Sequence, residues 1–326
     1  MTELSTRTVV TGGASKRSQR QSVPQSRGAI ARQRRENAAA YTFLIPWLIG
    51  FFGLTVGPML YTLYLSFTSY DIFSPPTWTG FDNYVRLFTN DPNFLQSAKV
   101  TLLYVLIGTP LKLAAALGAA MLLNYRDTAA SFFRSAFYVP SLIGASVSVA
   151  IVWRAMFVTD GPVDSGLDFF GIHLGGWVGN INLVVPMMIL LHVWGFGGTM
   201  IIFLAGLKNI PSELYEAADV DGAGPFRKFW NITIPTLSPV IFFNLLLETI
   251  GAFQVFGSAY IISNGTGGPA GMTNFYTLYL YKRGFTDGQM GYASAMAWVL
   301  LIVVALVAVF IFRSSQSWVH YAGDEK

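Results

Sequence analysis

Few side chains in this sequence could do chemistry. The 326 residues include no cysteine and three histidines, His173, His192 and His320, which excludes a thiolate site, a disulfide framework and a zinc constellation. No GxxxxGK[ST] loop occurs and no strand–turn–helix stretch could cradle a phosphate, so the chain has no nucleotide-binding motif of its own. Asp164, Asp168 and His173 come nearest to the clustered acids and histidine of a membrane-embedded lipid-modifying enzyme. Two other arrangements carry more. One apolar stretch places Asn244 and Glu248 four residues apart, hence on one helix face, and adds Gln254 and Ser258 as a second polar pair. Such groups are expensive in lipid, so they belong on a protein-lined polar path. Glu248 then fits an interior structural hydrogen bond, a subunit interface or gate, or ligand contact. Trp194, with Trp153, Phe196, Phe253, Phe256 and Trp298, could stack on a sugar's C–H face or belong to the core and interfacial belt. The other arrangement is GLKNIPSELYEAADVDGAGPFRKFWNITIPTLSP at 206–239, polar, helix-forming and punctuated.

The elements that must position these residues are membrane spans. Hydrophobic residues make up 53% of the chain and Asp, Glu, Lys and Arg only 12%, about half the usual charged share, which cannot cover a soluble surface. Ten of the 38 charged residues fall in the first 36 positions, and 37–70, 135–153, 169–207, 229–247, 249–281 and 288–312 are free of charge. A helix of about 20 residues crosses the hydrocarbon core. Spans are therefore expected over 39–66, 99–123, 135–156, 183–205, 238–262 and 291–312, giving an all-α polytopic membrane protein. The first is too long, and too badly terminated, for a cleaved signal peptide. Lys112 and Arg154 interrupt the second and third spans and are expected to snorkel to an interface or a protein-lined interior.

Six spans put both termini on one side. Fifteen Lys and Arg fall there, eight of them in the tail, against Arg86, Lys282 and Arg283 on the other. Both termini and the 207–236 connection are thus expected in the cytosol. Residues 1–37 read as a disordered basic tail, 38–315 as the transmembrane domain and 316–326 as a cytosolic tail. The net charge of +4 sits mostly in that N-terminal tail, with no basic groove, so nucleic acid is not a partner. The opposite connections, with DGPVDSG and NGTGGPAG, read as ordered turns and contain no receptor domain.

Within 207–236, Pro211 suits a first helical turn, Gly222 and Gly224 a helix end, and Pro225 the start of a second helix that closes before Pro235. The expected product is an elbow of two short helices along the membrane surface. From spacing alone it fits either a solvated linker or a docking surface for a cytosolic partner. The segment resembles the EAA loop of ABC importer permeases: Glu216, Ala217 and Ala218, three residues, Gly222, nine residues, Ile232, one residue, and then Ile234 and Pro235 where the family has Leu-Pro. The branched exchange at Ile234 keeps the apolar contact. Residues 37–315 resemble the carbohydrate-uptake group of these permeases, in particular the maltose transporter's larger subunit, through TWTGFDNYVRLF, FRSAFYVP and NGTGGP. The chain lacks that subunit's extra N-terminal spans and large insertion.

The resemblance implies a type I ABC importer permease fold and half of a translocation pore. It implies as partners a second six-span permease, two cytosolic ABC ATPases that bind ATP and Mg, and an external solute-binding protein delivering a sugar or short oligosaccharide. It assigns coupling to the ATPase to Glu216, Ala217, Ala218, Gly222, Ile232 and Pro235. Along the polar path Asn244, Glu248, Gln254, Ser258 and Trp194 are the candidates. A glycerol-phosphate or polyol importer is the nearest alternative, and would favour Lys112 or Arg154 in the cavity.

Overall fold

The computed structural model describes residues 41–124, 128–143 and 147–320. The basic tail, Arg126 and the last six residues lie outside the described residues. The chain divides into two units, Met1–Met59 and Leu60–Lys326. Among the described residues of the first, Trp47 stacks on Phe51 at 5.1 Å, and large apolar side chains such as Phe43, Ile49 and Leu54 are exposed, as they would be facing lipid.

Among the described residues, four single helices are long and apolar enough to cross a membrane: α1 (Tyr41–Ser66), α3 (Pro92–Leu122), α10 (Pro225–Ser263) and α12 (Met290–Trp318). Two bent pairs bring the number to as many as six. The first is α4 (Thr128–Ile143) with α5 (Val147–Phe157), flanking 144–146, which are outside the described residues. The second is α7 (Val184–Trp194) with α8 (Gly197–Lys208), bent by 46°. The fold is thus the expected all-α polytopic one, but the third and fourth spans are not straight rods. Gly197 explains the second bend: a Cβ there would lie 2.0 Å from the Phe137 carbonyl oxygen of α4. Only glycine permits that backbone approach, and the kink swings α8 into it. The last helix also outruns its expected limits and continues to Trp318.

Short pieces join these helices. β1 (Thr68–Ser69) pairs antiparallel with β2 (Thr77–Trp78). Next come α2 (Asp82–Thr89), α6 (Pro162–Phe169), α9 (Ser212–Val220) and α11 (Tyr276–Tyr281). α3 is central, packing on α7, α8, α10 and α11. Its first half contributes Val100 and Tyr104 to a core with Met187, Met188, Ile262 and Phe275, and its second half Ala116 and Ala120 to a core with Met200, Phe203 and Leu237. Small residues at the second contact let the backbones come close, the usual device where lipid supplies no hydrophobic drive between helices.

Asp91 pins the start of α3 to the last two elements. It caps the helix by accepting from the Asn93 and Phe94 amides, at 3.1 and 3.2 Å, and accepts the hydroxyls of Tyr279 at 2.5 Å and Tyr292 at 2.6 Å. Arg283 lies 3.6 Å from the same carboxylate. Burial alone would raise the Asp91 pKa, but the two tyrosine hydroxyls, the Phe94 amide and the Arg283 charge together hold it below the ordinary aspartate value.

Candidate functional site

The elbow forms from its own sequence. α9 ends in a Schellman motif: the Ala223 amide donates to the Ala218 carbonyl at 2.9 Å and the Gly222 amide to the Asp219 carbonyl at 3.0 Å. Gly222 has φ +71° with no atom near where its Cβ would be, so the glycine is needed for backbone conformation and not for space. Pro225 then opens α10 in the first-turn position where a missing amide costs nothing. The two arms are tied by a Lys228–Asp219 ion pair and by a 2.9 Å hydrogen bond between the Tyr215 and Thr233 hydroxyls.

The second arm differs from the expected short helix closed before Pro235. The helix passes through Pro235 and continues to Phe253. A π turn at Phe229–Thr233 precedes it, and this wider turn makes room for a ring that can donate no amide. The elbow's distal arm and the long apolar helix are therefore one continuous element. Glu216 and Ala217 are exposed, while Ala218, Ile232 and Pro235 are half-buried. A groove of ≈ 290 Å³ between the arms is lined by Leu214, Ala217, Ala218, Arg227 and Ile232. Beside it Val220 is 90% and Phe226 77% exposed. These apolar side chains stand beside charged ones and are left uncovered by the described residues of this chain.

The second site is a cavity of ≈ 330 Å³ lined by Tyr104, Lys112, Ser141, His192, Gly251 and Ser258, among others. Behind it stands Glu248. Its Oε2 lies 2.7 Å from Lys112 Nζ on α3, and its Oε1 accepts the Thr199 hydroxyl of α8 at 2.6 Å. His192 Nε2 on α7 is 3.9 Å from Oε2. The ring of His192 packs on Tyr104 at 5.3 Å, and its Nε2 is buried with no hydrogen-bond partner among the described residues. One carboxylate thus joins four helices, pairing its charge as the low-dielectric interior demands.

The residues expected along the polar path are distributed as follows. Ser258 lines the cavity, and Glu248 meets it through Lys112 and His192. Asn244 is buried but turns its amide back onto its own helix, donating to the Val240 carbonyl at 2.9 Å. Gln254 is exposed where the helix is interrupted. Trp194 is half-buried against Trp153, with centroids 5.7 Å apart. Lys112 was expected to snorkel to an interface or a protein-lined interior; it occupies the interior. Tyr104, Ser141, His192 and Thr199 were not singled out for the path. Only Lys112, a lone cation in an apolar stretch, carried a signal strong enough to ask for a partner.

The family model described as "binding-protein-dependent transport system inner membrane component" matches residues 112–320, a range that holds the elbow, Lys112 and Glu248. The chain belongs to this family. It is 51% identical over 294 residues to the probable ABC transporter permease protein YesP of Bacillus subtilis, covering 90% of this chain and 95% of the relative. Identity to the arabinooligosaccharides transport permease AraP of the same organism is 34%, with 87% and 90% covered. The fold is similar to that of a chain in the crystal structure of the bacterial alginate ABC transporter in complex with an alginate pentasaccharide-bound periplasmic protein. There the TM-score is 0.73 at 21% identity, covering 87% of this chain and 96% of that one. As a family member the chain is a permease subunit of a transport system.

Proposed function

We propose that this subunit forms half of the pore of an ATP-driven, binding-protein-dependent importer of a sugar or short oligosaccharide, and that the elbow receives the drive from a cytosolic ATPase. The observation that carries the reading is mechanical: the distal arm of the elbow and the helix bearing Glu248 are one continuous element from Pro225 to Phe253. A force applied at Phe226 or Ile232 is transmitted along that helix to the cavity wall. In this account two ATPases bind ATP and Mg, close on the elbows of this chain and of a second permease, and turn the cavity outward; hydrolysis then returns it inward. A solute-binding protein delivers the sugar from outside. The carbohydrate assignment is supported by relatives whose names specify arabinooligosaccharide, lactose and multiple-sugar transport.

Glu216 supplies a charge to a basic partner, Ala217 and Ala218 keep the docking face shallow, Gly222 sets the joint, and Ile232 and Pro235 seat the second arm. Asn244, Gln254 and Trp194 then support the helices around the path, Ser258 belongs to its wall, and Glu248 acts on it through Lys112. The test replaces Glu216 with Ala and Gly222 with Val, and follows both ATPase co-purification and ATP-driven uptake. Loss of uptake with loss of docking is expected; normal docking and uptake in both variants contradicts the coupling role. The excess of basic residues on one side supports cytosolic termini, and a reporter fused after Lys326 should be active in the cytosol.

A further inference from the structure

We infer that Glu248 determines the charge class of the transported solute: by masking Lys112 it makes the cavity one for uncharged saccharides and excludes those bearing a carboxylate. The inference rests on the carbohydrate reading above. Among the described residues lining the cavity, the titratable ones are Tyr104, Lys112 and His192. Lys112 is therefore the one fixed cation that this chain's described residues present to a solute in this space, and it is held at 2.7 Å by a carboxylate whose other oxygen is engaged by Thr199. Both charged side chains are mostly buried, at 13% and 18% exposure, so water screens them little.

The physical consequence concerns cancellation. A bare ammonium in such surroundings would draw in a carboxylate through a charge-assisted hydrogen bond. With Glu248 behind Lys112, an incoming anion meets an ammonium whose charge is already paired, and it loses its own hydration with little in return. A neutral sugar has no such loss. Its hydroxyls can meet those of Ser141 and Ser258, which line the cavity. Glu248 is accordingly a specificity-determining residue acting through Lys112, not itself the ligand-binding group.

The experiment uses the assembled importer in lipid nanodiscs without its binding protein, so that only the cavity discriminates. Binding is measured for two matched pairs, galactobiose against digalacturonate and cellobiose against cellobiouronate. The native protein should prefer the neutral member of a pair. Glu248→Gln should reverse the ratio by about tenfold or more, since a single unmasked charge contact of this kind is easily worth a decade in affinity, and the gain for the uronate should fade with added salt. Because Glu248→Gln strands an ammonium and could impair assembly, two further variants keep the test decisive. The double neutral variant K112M/E248Q and the swapped variant K112E/E248K both cancel charge and should both retain the neutral preference. An unchanged ratio in assembled Glu248→Gln, or an acquired uronate preference in either cancelling variant, overturns the inference while leaving the carbohydrate reading intact. Failure of the native complex to bind any of the four sugars overturns both.

Discussion

The elbow and the Glu248 cavity both depend on charged residues, but they are built in opposite ways. The elbow draws on neighbours in the chain: Gly222, Ala223 and Asp219 close its first helix, and Lys228 reaches Asp219 nine residues back. The cavity draws on distant ones: Lys112 and Glu248 are 136 positions apart and Thr199 and Glu248 49 apart. Exposure differs as well, since Glu216 lies in solvent whereas Glu248 is largely enclosed. A site made of local turns is set by residue spacing, and each charge in it can be lost cheaply. A site assembled across four helices is set by packing, and its charges are costly to separate. Substitutions should divide along that line.

The largest effect is expected at the buried pair. Glu248→Leu leaves Lys112 uncompensated and should cost about 3–5 kcal/mol of stability, whereas the double change K112L/E248L should recover most of it. Thermal unfolding in detergent of the native protein, Glu248→Leu, Lys112→Leu and the double variant forms the cycle that checks this coupling. At Asp91, which resembles the cavity in joining distant elements, Asp91→Asn removes a charged acceptor from two tyrosines and should cost about 1.5–3 kcal/mol. Because its pKa is lowered in the fold, the Asp91 contribution is complete above the unfolded value near 3.9 and is lost as pH falls through the folded value. Melting curves taken from pH 6 downward should show the native protein losing stability at the acid end and Asp91→Asn losing less.

Effects at the elbow should be smaller in stability and larger in coupling. Gly222→Ala puts a Cβ into the left-handed region and costs about 1–2 kcal/mol, so the melting temperature should fall by only a few degrees while ATPase association is lost. Gly224→Ala, at φ −67°, serves as the control and should leave both unchanged. The smallest change is expected at Asn244. Its hydrogen bond is to its own helix backbone, so Asn244→Ala should cost about 1 kcal/mol and leave the Lys112–Glu248 coupling intact. A loss of that coupling in Asn244→Ala would erase the distinction between local and assembled sites.

The same contrast explains how far the amino-acid sequence could be read. Charge-free runs disclose the spans because a bilayer excludes charge whatever the tertiary arrangement. The elbow was legible because Pro211, Gly222 and Pro225 act within one or two turns. The pairing of Asn244 with Glu248 by helical spacing placed both on one face, yet Glu248 engages Lys112 and Thr199 instead, which only three-dimensional packing brings near. Pro235 misled for a related reason. Proline ordinarily ends a helix, but the π turn at Phe229–Thr233 absorbs it and lets the elbow run on into the membrane helix. The bend at Gly195 and Phe196 likewise follows from a contact with Phe137 some sixty residues earlier in the chain.

The central claim is that force enters at the elbow, and the absence of any native cysteine permits a direct measurement. A single cysteine in place of Ala217 is combined with a cysteine at the facing surface of the ATPase, in the complete importer reconstituted with its binding protein. The account predicts that a disulfide forms between the two subunits, that ATP-driven uptake stops, and that a reductant restores it. Uptake that proceeds unchanged while the elbow is locked to the ATPase by that disulfide would contradict it.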